Sequence, residues 1–265
     1  MDQDLPNTPS SAASQAICFR CGYELAGLAS SGPCPECGYP IAESLAHKRL
    51  GLAAPEHLSA LTLGASLSGV ALGCWIVSGV TQSPIVAPLF AFGSQRLFAA
   101  LDLPAAAMLC WGVWKLTIDD PNLDERHQSR ANKRTMRIGA AGLLVIALLR
   151  FALGWKMATP IPGGVRSALP LVWGLLSLSL EMIATACWLM LATGMTNHTR
   201  WIAARLPDLV LFRMARSLGW VVAAAVIAGF VLWFPLGTAG RAASLPLLVF
   251  LAFAVRERLL RLRSA

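Results

Sequence analysis

Four cysteines carry the clearest chemistry in this chain: Cys18-Phe-Arg-Cys21 and Cys34-Pro-Glu-Cys37, with twelve residues between the pairs. Two C-x-x-C pairs at this separation match a four-thiolate Zn2+ site, each pair bending into a knuckle that aims two sulfurs, at about 2.3 Å, at one tetrahedral ion. Gly22 and Gly38 follow the second cysteine of each pair, where the tight turn calls for a residue tolerant of positive φ. Two disulfides would need an oxidising compartment, and a redox C-x-x-C would open a helix within a βαβ pattern that is not visible here. One structural Zn2+ on Cys18, Cys21, Cys34 and Cys37 is therefore the expected cofactor. A site with all four positions filled by thiolates leaves none open for catalysis.

The other candidates are ionisable groups inside apolar stretches, where charge is costly and needs a reason. Glu181 lies in Leu178-Ser-Leu-Glu-Met-Ile, and Arg150 lies twelve residues beyond Ile138 in the preceding stretch. On consecutive antiparallel helices they reach similar depths. Three readings stay open: a structural ion pair, a proton- or ion-coupling site, or a Glu181 held neutral. Asp102 precedes Leu103-Pro104 and reads as a helix N-cap with proline opening the helix. Cys74, Cys110 and Cys187 read as small apolar packing residues, and Gly69-Val-Ala-Leu-Gly73 as a GxxxG that admits close helix approach.

The elements that must hold these groups follow from composition. Of 265 residues, 56% are hydrophobic and only 14% charged, against roughly 25% charged in soluble domains; mean hydropathy is +0.60. Long apolar runs separated by basic clusters exclude a soluble enzyme, a secreted disulfide scaffold and a disordered chain. The expected fold is an all-α multi-pass membrane helix bundle of about six spans, preceded by a small β-type zinc ribbon. Its divisions are a polar tail at 1–16, the ribbon at 17–43, a linker at 44–56 and a transmembrane domain at 57–265. The spans are placed at 58–80, 97–118, 138–158, 168–195, 218–236 and 242–255. The last is only fourteen residues long and contains Pro246.

Charge sets the orientation. With the head inside and six crossings, 17 of the 22 Lys and Arg residues fall on the cytoplasmic side, as the positive-inside rule requires. Both termini are then cytoplasmic. Trp75, Trp155, Trp173 and Trp233 fall near outer ends and Trp111, Trp114, Trp201 and Trp220 near inner ones, the usual aromatic belts. Residues 198–217 read as a basic loop or an amphipathic segment on the inner leaflet. His127 and His198 fall in cytoplasmic loops. The first fourteen residues have neither a basic nor an apolar region and read as a tail rather than a cleaved signal.

In the head, Tyr23, Leu25, Leu28, Tyr39 and Ile41 are the expected miniature core, too small to fold without metal. Over residues 1–50, Arg20, Lys48 and Arg49 face Asp2, Asp4, Glu24, Glu36 and Glu43. A net −2 lacks the basic face that phosphate binding needs, so nucleic acid is excluded as a partner. The run Cys18-x-x-Cys-Gly-Tyr-x-Leu-x-Gly-Leu28 with Cys34-Pro-Glu-Cys-Gly38 resembles the N-terminal zinc ribbon of a group of uncharacterised bacterial integral membrane proteins. The resemblance covers about 25 residues and implies a ribbon-bearing protein of the bacterial inner (cytoplasmic) membrane, with no activity to carry over. The paraquat-inducible A proteins are similar in pairing ribbons with spans, but their cysteine pairs are farther apart and this chain has no second ribbon.

These features favour a non-enzymatic membrane protein, its bundle solvated by lipid, whose cytosolic ribbon docks a protein partner or another part of the same assembly. The alternative is a small-solute or ion transporter using Glu181 and Arg150. An enzyme would have only Asp119, Asp120 and His127 at the cytosolic face, and no HExxH, phosphate loop or GxSxG is present.

Overall fold

A computed structural model describes residues 16–46, 50, 53–81, 94–121, 130–157, 169–206, 208–232 and 237–264. Its described residues are mostly helical: α1 (Ile41–Ala46), α2 (Pro55–Thr81), α3 (Ser94–Leu116), α4 (Arg130–Met157), α5 (Leu169–Arg205), α6 (Leu209–Leu232) and α7 (Gly237–Ser264). Helices are what apolar runs must form where no water can satisfy backbone N–H and C=O groups. Among the described residues three helices are long and apolar enough to cross a bilayer, over Pro55–Ser78, Arg130–Ala152 and Leu178–Arg205. The six crossings expected from sequence thus reduce, on this criterion, to three, although each of the six apolar segments does map onto one of α2–α7.

The long helices close into a ring. α2 packs on α3 and α7, α3 on α4, α4 on α5, α5 on α6, and α6 on α7, with α5 also reaching α7 across the middle. Leu61, Leu72, Leu109, Leu191, Leu248 and Leu251 form its fully buried centre. Polar clasps pin helices together: the Trp188 indole N–H donates to Ser244 Oγ at 2.9 Å, and Arg256 Nε to Ser66 Oγ at 3.0 Å. Asp208 caps α6 by accepting from Leu211 N at 2.9 Å, and its other oxygen takes Arg258 of α7 at 2.8 Å.

Several expectations need correction. Asp102 does not cap a helix. α3 begins at Ser94, so Asp102 and Pro104 lie inside it, and Asp102 accepts from Ser78 Oγ of α2 at 2.8 Å. Pro104 sacrifices one helical bond, which a bundle tolerates when neighbours supply polar partners. The fourth apolar segment, placed at 168–195, lies in α5, a helix that continues to Arg205. Residues 198–205 and 209–217 are helical rather than a loop: Trp201, Ile202, Ala203, Leu211, Phe212 and Ala215 are buried in the bundle, with Arg213 and Arg216 left outside. Trp201 accordingly leaves the inner belt, whereas Trp111, Trp114 and Trp220 are exposed as a belt requires. His127, and the side chains of Trp155, Trp173 and Trp233, lie outside the described residues.

The close helix approaches also lie elsewhere than the GxxxG. A Cβ on Gly73 would meet nothing within 4 Å, and one on Gly69 only the ring of Phe253 at 3.1 Å. At Gly64 it would stand 2.6 Å from Leu116 N and 2.7 Å from Gly112 O, and at Gly139 2.7 Å from Cys187 O. Here backbone meets backbone, and nothing can yield cheaply. Gly64→Val is therefore expected to cost about 3 kcal/mol, the upper end of ordinary overpacking, while Gly73→Val stays within about 0.5 kcal/mol; thermal unfolding in detergent compares the two.

Candidate metal centre and the polar layer beneath it

The two knuckles are built alike. Cys18 N donates to Tyr23 O (2.7 Å) and Gly22 N to Cys18 O (2.8 Å); Cys34 N donates to Tyr39 O (2.8 Å) and Gly38 N to Cys34 O (2.9 Å). Both turns require positive φ, +80° at Gly22 and +69° at Gly38, which glycine adopts without penalty. The β character expected of the ribbon shrinks to two isolated antiparallel bridges, Ile17 with Glu24 and Pro33 with Pro40. Each arm is almost entirely knuckle, and little chain is left to extend a ladder.

The turns bring four sulfurs within 4.8 Å of one another. Cys18 Sγ lies 3.6 Å from Cys37 Sγ, and Cys21 Sγ 3.6 Å from Cys34 Sγ. A tetrahedron of thiolates about 2.3 Å from one ion has edges of about 3.8 Å. The cysteines are unbridged, so the disulfide option is removed. Burial pushes the Cys18 thiol up, but hydrogen bonds from the backbone N–H groups of Cys21 and Arg20 outweigh it and bring the group down to about 7; Cys21 is pushed well up, chiefly by burial.

Leu25 and Ile41 are buried with Cys18 and Cys34, and Tyr39 packs against them. Tyr23 and Leu28, expected in this core, are exposed: with two knuckles facing one point there is no room for five large side chains. Sequence reasoning missed Ser44 of α1, which accepts from Phe19 N at 3.3 Å and directs its hydroxyl to Cys18 Sγ at 4.0 Å. It also missed that Ile17 and Phe19 pack into the main bundle core. The first knuckle sits on the start of α6: a Cβ at Gly22 would be 2.8 Å from the Phe212 ring. Arg200 lies over that ring at 5.3 Å and donates to Arg20 O at 3.5 Å.

Under this platform lies a layer of buried polar groups. Asp120 and Arg205 pair at 2.6 Å with both side chains 1% exposed. Lys133 donates to Asp119 at 2.8 Å and to Ile118 O at 3.3 Å; that contact, ahead of the cost of burial, holds the Asp119 carboxyl below the usual range. Arg137 brackets Thr117, donating to its hydroxyl and its carbonyl at 2.7 Å each. His198, expected exposed in a loop, is 2% exposed and meets Leu116 O through Nε2 at 2.9 Å. A carbonyl only accepts, so Nε2 carries the proton. Its ring stacks on Trp201 at 5.4 Å, and Arg205 and Lys133 approach the same indole at 4.8 and 5.8 Å. His57, which the sequence reading passed over, is 5% exposed, with neither ring nitrogen hydrogen-bonded to a described residue. A cavity of about 10 Å³ is lined by His198, Leu116, Met136, Met195 and Ile202, the space of a single water.

Arg150 and Glu181 are brought together, the guanidinium donating to Glu181 Oε1. They do so on the outside of the bundle, with side chains 45% and 39% exposed. Asp119 and Asp120, the acids an enzyme would need, are committed to Lys133 and Arg205. No family model, curated protein or solved structure matches this chain.

Breaking a buried pair strands the remaining charge, at about 3–5 kcal/mol. Asp120→Asn is expected to destabilise by that amount, and Asp120→Asn with Arg205→Met to recover most of it, measured as thermal midpoints of the purified protein. A double variant no better than Asp120→Asn would show that the two do not act as a pair.

Proposed function

We propose that this is a multi-pass protein of a bacterial inner membrane, crossing six times with both termini cytosolic, whose ribbon holds one structural Zn2+ and serves as a docking or assembly module. The observation that carries this reading is the grouping of the Cys18, Cys21, Cys34 and Cys37 sulfurs within 4.8 Å of one another on two knuckles, the first of them seated through Gly22 against Leu209 and Phe212. Zn2+ bound by four thiolates supplies folding free energy and no open coordination position, so the ribbon positions rather than catalyses. Tyr23, Leu28 and Leu45 are left exposed on the head, an apolar face suited to a cytosolic protein partner. A non-enzymatic role accords with the commitment of Asp119 and Asp120 to ion pairs. Arg150 and Glu181, the residues of the transporter alternative, are paired on the outer face of the bundle, which favours the docking reading over transport through the bundle.

Elemental analysis of purified protein is expected to give close to one zinc per chain, lost in a Cys34→Ser, Cys37→Ser double variant; zinc retained in that variant would refute the ligand set. Reporters active only outside the cytoplasm are expected to stay silent when fused at Ala265 and to be active after Gly164. A signal at Ala265 would mean that the last helix does not cross.

A further inference from the structure

The seam between the first knuckle, α5 and α6 gathers positive charge and supplies no acid to balance it. α5 and α6 run antiparallel, and Gly219 lies against Thr196, a Cβ there standing 3.3 Å from its hydroxyl. One turn nearer the ribbon on each helix, the same register brings Arg200 beside Arg216, close enough for the two charges to repel. Arg213 stands three residues before Arg216 and so neighbours it on α6; both are exposed. Arg20, exposed on the knuckle, adjoins them through its carbonyl, which accepts from Arg200 Nη2 at 3.5 Å. Among the described residues the ion pairs use Lys133, Arg150, Arg205, Arg256 and Arg258, and none of these four arginines. Asp208, the acid nearest to Arg213 in sequence, is taken up by Leu211 N and Arg258. Arg200 lies over the Phe212 ring at 5.3 Å, yet its Nε–H is buried with no acceptor among the described residues. A buried charged donor without an acceptor is costly, and guanidinium groups gathered without acids call for an anion.

We propose that Arg20, Arg200, Arg213 and Arg216 form a binding site for the phosphate group of an anionic phospholipid. Guanidinium suits this ligand because its planar fork gives two parallel N–H bonds to phosphate oxygens. The continuation of the same face of α6 points to a lipid rather than a free phosphate compound. Trp220, four residues after Arg216 and seven after Arg213, is 77% exposed, and Val221 beside it 50%. At 1.5 Å per residue, Trp220 lies about 6 Å deeper along the helix than Arg216. That is the step from the phosphate level to the headgroup–acyl boundary, where tryptophan rings settle. A phospholipid has the matching order of charge and hydrocarbon, and basic pockets between helices on the cytoplasmic side hold anionic headgroups in this way. A phosphate shared by Arg20 and Arg216 would fasten the knuckle to the bundle at the membrane surface. This inference rests on α6 crossing the bilayer with its first turns cytosolic, as proposed above, and is independent of any protein partner of the ribbon.

Native mass spectrometry of the full chain in a neutral detergent, with phosphatidylglycerol or phosphatidylcholine added, tests the site. The wild type is expected to hold phosphatidylglycerol at least about tenfold more tightly than phosphatidylcholine. Arg200→Gln with Arg216→Gln is expected to weaken phosphatidylglycerol binding by about tenfold or more. Arg134→Gln with Arg263→Gln, which removes two other exposed arginines, is expected to leave it unchanged. Millimolar inorganic phosphate, which has no acyl chains, should leave the bound lipid in place. Absence of a preference for phosphatidylglycerol would overturn the proposal. Equal losses in the two double variants would overturn it by assigning binding to bulk charge, and displacement by phosphate by assigning the site to a soluble phosphate compound. Zinc content and thermal midpoint report the folding of each variant. Should Arg200→Gln fail to fold, Arg213→Gln with Arg216→Gln alters exposed side chains only; unchanged phosphatidylglycerol affinity there would overturn the proposal equally. Micelles impose no topology, so failure of the six crossings is read in the reporter fusions and failure of this site in the bound lipid.

Discussion

The Asp120–Arg205 pair is the constraint around which the ribbon-bearing end of the molecule is organised. Two charges with 1% exposed side chains survive burial only if the geometry is maintained and the remaining hydrogen-bonding capacity is met nearby. To deliver Arg205, α5 must run to its full 37 residues, three turns past the point where its apolar content would end it. The extra turns carry His198 and Trp201, which fill the space between α5 and the end of α3. Trp201 offers its indole to Arg205 and Lys133 together, and Lys133 and Arg137 cover the carbonyls of Ile118 and Thr117 that the end of α3 leaves open. A helix C-terminus attracts cations for this reason.

The same extension creates the ribbon's seat. Arg200 and Phe212 exist as a surface only because α5 continues and α6 begins at once after Asp208, capped on one side by that residue and tied to α7 through Arg258. A head of about thirty residues, with Leu25 and Ile41 as its main buried apolar side chains, has too little core to stand alone. Four thiols compensate from within. Ile17 and Phe19, packed into the bundle, compensate from outside. The fold of the head and its seat on the bundle share residues: the Cys18 knuckle supplies two of the four sulfurs that could hold a metal ion and, through Gly22, the contact with Phe212.

Charges in this protein are handled in two ways. At the ribbon-bearing end Asp120 pairs with Arg205 and Asp119 with Lys133, and both cations lie over the Trp201 indole. At the level of Arg150 and Glu181 they are paired but turned outward. The contrast is between a polar layer buried within the bundle and an ion pair on its surface.

Several features were legible in the sequence because they depend on local spacing or on composition. The Cys-x-x-Cys-Gly repeats determine both knuckles, since a turn with positive φ needs glycine whatever surrounds it. The apolar runs determine helices, since hydrocarbon permits backbone no other open form. The matched positions of Arg150 and Glu181 follow from counting along antiparallel helices. What only the tertiary structure decided are matters between segments far apart in the chain. Nothing local distinguishes Asp120, buried against Arg205 85 residues away, from Asp119 beside it, 63% exposed. His198 reads as a loop residue, and nothing in the sequence singles out His57, until the helices enclose both. Gly69 and Gly73 have the spacing for a close crossing, yet the crossing falls at Gly64 and Gly112, because helix rotation is chosen by the whole ring of packed neighbours and not by one helix's own pattern. Orientation of a side chain toward lipid, core or ribbon is a property of that packing, and so it first becomes determined when the chain has folded.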